Sequence, residues 1–126
     1  MGIEKLDVKG GEDTPNVLFD NETKTLKISG KSFPDNVIEF YNPIINWLKD
    51  YAESPFSQTN VILSFDYFNT ASAKVILDIL QVLGSIHKKG AVVDIKWLYD
   101  KDDEDMEQAG HRYSKVANIP MKVEPK

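Results

Sequence analysis

The sequence predicts an α/β domain: a mixed β-sheet with helices packed on it, in the order β-β-α-β-α-β-α-β. Three observations predict it. Two apolar runs, residues 61–65 (VILSF) and 91–98 (AVVDIKWL), have the length and composition of strands. Two longer stretches, 35–53 and 70–89, repeat apolar residues at helical spacing. Near the N-terminus, Asp20-Asn21-Glu22-Thr23 separates two short alternating segments, the pattern of a hairpin turn. Helices between the later strands imply right-handed crossovers and a partly parallel sheet.

Taken in order, residues 1–13 are rich in glycine and charge and carry no periodicity, so they read as a loose arm ahead of one domain spanning 14–126. Residues 16–19 and 25–28 form the hairpin; Leu26 and Ile28 alternate with Lys27 and Ser29, as in a strand with one buried face. Gly30 and Pro34 mark a loop. The helix over 35–53 lines up Val37, Tyr41, Ile44, Leu48 and Tyr51 on one face. Pro43 lies inside it and removes a hydrogen bond. Either the helix kinks there or Asn42 caps a second segment; the apolar stripe runs on through the proline, which favours the kink.

Residues 61–65 are apolar at every position but Ser64, which suggests a central strand buried on both faces. The helix over 70–89 ends at Gly90, a C-terminal cap. Strand 91–98 follows, then a shorter helix over 101–115 whose acidic start suits the helix dipole. Residues 121–123 form a final edge strand after Pro120.

Composition narrows the function. The 126 residues are 41% hydrophobic and 28% charged, the make-up of a globular protein with a single core. No apolar run approaches the roughly 18 residues of a membrane span, and the N-terminus does not read as a signal peptide. The absence of cysteine removes disulfides, thiolate metal sites and cysteine nucleophiles. Together these point to the cytoplasm, without membrane attachment. The net charge of −5, with no cluster of Lys and Arg, argues against nucleic-acid binding.

Enzyme signatures are missing. There is no glycine-rich phosphate loop, GxSxG elbow or HExxH spacing, so no cofactor, metal or catalytic residue is expected. His87 and His111 read as solvated surface residues. The acidic residues 100–105 lack the glycine and distal glutamate of an EF-hand loop and read as a solvated helix start. Asp66, close to Thr70, is the one candidate general base, and a small enzyme built on Asp66 and Thr70 is the third reading kept open.

The most informative stretch is VILSFDYFNTASAKVILDIL, residues 61–80. A strand passes through Asn69-Thr70-Ala71-Ser72 into a helix, placing hydroxyls where unpaired N–H groups and the macrodipole favour an anion, bound or attached as a phosphate. The plain alternative is that Asn69 or Thr70 is simply an N-cap. Projected as a helix, Val75, Ile76, Ile79, Val82, Leu83 and Ile86 form the core face, and Lys74 and Asp78 can pair on the opposite side. Ala73, Leu77, Leu80 and Gly84 make a second apolar line. It reads either as scattered surface apolar residues or as a partner-binding strip that begins near Thr70 and Tyr67.

These residues carry two resemblances. The element order and the segment 61–80 resemble the STAS domain of anti-sigma factor antagonists, in which a kinase phosphorylates the second serine of an Asp-Ser-Ser-Gly motif at this junction. That position here is Ala71, which has no hydroxyl. A closer resemblance, from about residue 15 to 120, is to the SiaC family of bacterial regulatory phosphoproteins. It rests on SFPDNVIEFYNPIINWL, on YFNTAS followed by KVILDIL, and on HKKGAVVDIKWLYD.

That resemblance implies a STAS-like fold and a non-enzymatic switch. Thr70 would be phosphorylated by a Ser/Thr kinase and restored by a PP2C-type phosphatase, and the unphosphorylated form would bind and activate a diguanylate cyclase in cyclic-di-GMP signalling. Tyr67, Asn69, Thr70, Ser72, Ala73, Leu77 and Leu80 are the expected partner-binding residues, with Ser72 as a second local hydroxyl. The protein alone is expected to be monomeric. An anti-sigma factor antagonist in a partner-switching pathway is the alternative.

Overall fold

A computed structural model describes residues 5–126. Its elements are β1 (Leu6–Val8), β2 (Asn16–Asp20), β3 (Thr25–Ser32), α1 (Val37–Glu53), β4 (Gln58–Phe68), α2 (Thr70–Lys88), β5 (Val92–Tyr99), α3 (Glu104–Ala117) and β6 (Met121–Pro125). The six strands form one sheet in sequence order; β1-β2 and β2-β3 are antiparallel, and β3 to β6 are parallel. The mixed, STAS-like α/β class read from the sequence is the class observed. It has one strand more than the pattern indicated.

That strand corrects the loose arm. Residues 1–4 lie outside the described residues, but Leu6, Asp7 and Val8 pair with Phe19, Leu18 and Val17. Leu6 is buried. Three residues are too short for alternation to register, and only the finished hairpin supplies their partner.

The helices cover a single face of the sheet. Val17, Ile28, Leu63 and Trp97 stand side by side in register and are all fully buried. The next row, Leu18, Lys27, Ile62, Lys96 and Lys122, faces the other way and is exposed or half-buried. β4 is therefore central, between β3 and β5, but the expectation of burial on both its faces is corrected. Thr59, Val61, Leu63 and Phe65 are buried, whereas Asn60, Ile62 and Ser64 are half-buried. Every crossover places its helix on the same side, so the far side stays open to solvent.

Local chemistry sets the helix ends. Asn36 caps α1 by accepting from Glu39 N–H at 3.0 Å, and α1 continues through Pro43 as one helix. Pro43 is exposed, so the carbonyl deprived of its partner lies on the solvent side. Just past its Lys89 C-cap, α2 is terminated by Gly90, whose φ of 103° suits glycine and whose N–H donates to His87 O. Asp103 caps α3 through Met106 N–H at 3.0 Å. Within the core, Trp97 donates Nε1–H to Met106 O at 2.9 Å and packs against Phe65, Phe68 and Tyr113.

Candidate functional site

The site forms where β4 ends and α2 begins. Asn69 is the N-cap: its backbone is extended and its Oδ1 accepts from Ser72 N–H at 2.9 Å. Thr70 is thus the first residue inside the helix, not the cap. It is exposed, and its hydroxyl makes no hydrogen bond among the described residues. Its own N–H and that of Ala71 belong to the first turn, which lacks internal acceptors. A negative group on Thr70 would lie at the positive end of a 19-residue helix.

The division of labour between Asn69 and Thr70 is measurable. Asn69→Ala should destabilise the fold by about 0.5–2 kcal/mol. Thr70→Ala should stay within about 0.5 kcal/mol of the parent, as for an ordinary surface position. Paired urea melts check both values.

The residues expected to bind partners divide sharply. Tyr67 is 51% exposed, Thr70 is exposed and Asn69 is half-buried. Ser72 is fully buried and accepts from Ser32 Oγ at 2.8 Å, so it cannot be a surface hydroxyl. Leu80 is also fully buried, and Ala73 and Leu77 are half-buried.

The second apolar line of α2 follows the side where α3 sits. At one end Tyr113 donates its hydroxyl to Ala73 O at 2.7 Å. At the other, a methyl placed on Gly84 would lie 3.7 Å from Ala117 O. Periodicity located the line correctly but not the helix that covers it. The Lys74–Asp78 pair does not form among the described residues either.

Two exposed apolar residues near the β3–α1 loop carry no clear signal in the sequence. Phe33, 39% exposed, meets Tyr67 edge to face with ring centroids 5.8 Å apart. Ile38, in the first turn of α1, is 60% exposed. Loops leaving the C-terminal ends of parallel strands share one rim of the sheet. Phe33 and Ile38 flank the β3–α1 loop there, as Tyr67 and Thr70 flank the β4–α2 junction. An aromatic residue beside Pro34 in a loop was the only available signal.

Asp66 is exposed and bonds Lys126 Nζ at 3.0 Å, with no histidine among its contacts. Among the described residues no group of His, Cys, Asp and Glu is arranged to hold a metal ion. No described helix is long and apolar enough to cross a membrane.

The geometry amounts to an exposed threonine opening a helix, with exposed apolar residues on the same rim of a STAS-like sheet. The model of the SiaC family of regulatory phosphoproteins matches residues 8–126, and the chain belongs to that family. A protein of Pseudomonas aeruginosa is 26% identical over 122 residues, 97% of each chain. The crystal structure of apo-SiaC from the same organism superposes with a TM-score of 0.87 at 25% identity, covering 96% of this chain and 98% of that one. SiaC from that organism in its complex with the diguanylate cyclase SiaD, of which it is the activator, gives 0.88 at 25% identity over 96% and 99% of the two chains.

Proposed function

We propose that this protein is a non-enzymatic, cytoplasmic partner switch controlled by reversible phosphorylation of Thr70. Unphosphorylated, it binds and activates a diguanylate cyclase. A Ser/Thr kinase adds the phosphate, which releases the cyclase, and a PP2C-type phosphatase removes it. The carrying observation is the setting of Thr70: exposed, unbonded and first in its helix, on the same rim as Phe33, Ile38 and Tyr67. A phosphate there brings a charge of about −1.5 to −2. The helix start accommodates it, whereas an apolar partner surface pressed onto the rim would have to bury it unpaired. Membership of the family and the cyclase complex of a SiaC relative support the choice of effector.

Co-expression with the cognate kinase followed by peptide mass spectrometry tests the switch site. One phosphate on Thr70, absent from Thr70→Ala, is expected; undiminished labelling of Thr70→Ala refutes the assignment. The sigma-antagonist reading uses the same switch on a different partner. It is disfavoured by Ala71 at the usual acceptor position and by the burial of Ser72 beside it.

A further inference from the structure

A chain of three buried hydroxyls from three elements ends at Ser72, two residues past Thr70. Tyr41 of α1 is 2.6 Å from Ser32 Oγ of β3, and Ser32 Oγ donates to Ser72 Oγ of α2 at 2.8 Å. Because Ser32 has one hydroxyl proton and gives it to Ser72, the tyrosine must be the donor in the other bond. Ser32 and Ser72 are fully buried and Tyr41 is 1% exposed. Burial pushes the Tyr41 phenol above its usual pKa, against the opposing effect of the Ser32 hydrogen bond, so it stays a protonated donor at neutral pH.

Ser32 also accepts from Asn69 N–H through its carbonyl, at 3.0 Å. One residue of β3 therefore holds the Thr70 turn on both sides of Thr70, at Asn69 and at Ser72. The same residue is bonded to Tyr41, one turn along α1 from exposed Ile38.

We propose that the Tyr41–Ser32–Ser72 hydroxyl chain carries the modification state of Thr70 to the first turns of α1, so that phosphorylation reshapes the α1 part of the rim as well as charging it. This deepens the switch proposed above and rests on Thr70 being its site. The route is local. A phosphate on Thr70 is drawn to the free N–H groups of the first turn and competes with Asn69 Oδ1 for the Ser72 N–H. Any shift of Ser72 changes its bond to Ser32, and in a buried, low-dielectric setting that change is felt by the next bond in the chain. Ser72 is thereby a positioning residue and not a second phosphoacceptor.

Tyrosine ring NMR tests this without the kinase. The protein is labelled with 13Cζ-tyrosine and prepared with threonine or genetically encoded phosphothreonine at position 70. Tyr67, three residues from the modification, reports its local presence. Tyr51, bonded to Thr59 at 2.6 Å, is the silent control. The Tyr41 resonance is expected to move on phosphorylation in the parent protein. In Ser32→Ala its movement should fall to less than a third while that of Tyr67 persists. Ser72→Ala, which suits a helix, should give the same loss and decides the matter if Ser32→Ala does not fold. A Tyr41 resonance unmoved in the parent, or moving equally in a folded variant, overturns the proposal. Failure of the kinase to label Thr70 would instead defeat the switch assignment and leave this measurement standing.

Discussion

Gly110→Ala should destabilise the domain by about 1–3 kcal/mol, the range of core overpacking, although alanine is the better helix former by about 1 kcal/mol. Gly110 lies inside α3, where a Cβ would meet Trp97 Cδ1 at 2.5 Å and Trp97 Cγ at 2.9 Å. The indole cannot retreat easily. It is fully buried, ringed by Phe65, Phe68 and Tyr113, and its Nε1–H is held by Met106 O. The steric cost should therefore exceed the propensity gain. Gly110→Val, with two further methyl groups, should lift α3 from the sheet altogether. Urea unfolding checks this: the midpoint should fall with the slope unchanged for alanine. A rise in the midpoint would mean that the contact between α3 and Trp97 is looser than described.

The second large effect separates the rim from the buried line of α2. Leu80→Asp should prevent folding, because a carboxylate would enter a fully enclosed position against the core. Tyr67→Asp and Ile38→Asp should leave the melting temperature nearly unchanged and weaken cyclase binding by about 30-fold or more, as for central anchors of an interface worth at least about 2 kcal/mol each. Circular dichroism melts and binding titrations on the same preparations distinguish the outcomes. If Leu80→Asp folds, or if the rim variants bind the cyclase with parental affinity, the docking surface is not the rim.

Much of this was legible in the residues. The α2 helix, read as 70–89, spans Thr70–Lys88, because a strong apolar period, a capping asparagine and a terminal glycine agree there. The apolar pattern marks only 61–65 of β4, which spans Gln58–Phe68: its start, Gln58-Thr59-Asn60, is polar, and Asp66 interrupts the run before Tyr67 and Phe68. The shorter helix, read as 101–115, starts at Glu104, because Asp103 is the residue whose side chain reaches Met106 N–H.

The place of Thr70 at the strand-to-helix junction was legible, and the exposure of the residues around it less so. Thr70 stands out wherever strand, hydroxyl and helix meet. Whether Ser72 and Leu80 face solvent depends on which distant elements arrive, here Ser32 from β3 and the α3 helix. Serines look alike in a sequence whether buried or exposed. Phe33 and Ile38 reach the rim only because consecutive parallel strands end at the same edge.

The central claim is that charge on Thr70 decides partner occupancy, and one titration tests it directly. The cognate cyclase is titrated with the protein carrying threonine, and separately phosphothreonine, at position 70, at physiological ionic strength. Burying an unpaired charge costs about 3–5 kcal/mol, so affinity should fall by a factor of about 100 or more on phosphorylation, with cyclase activation lost in parallel. Equal or tighter binding of the phosphorylated form would contradict the account.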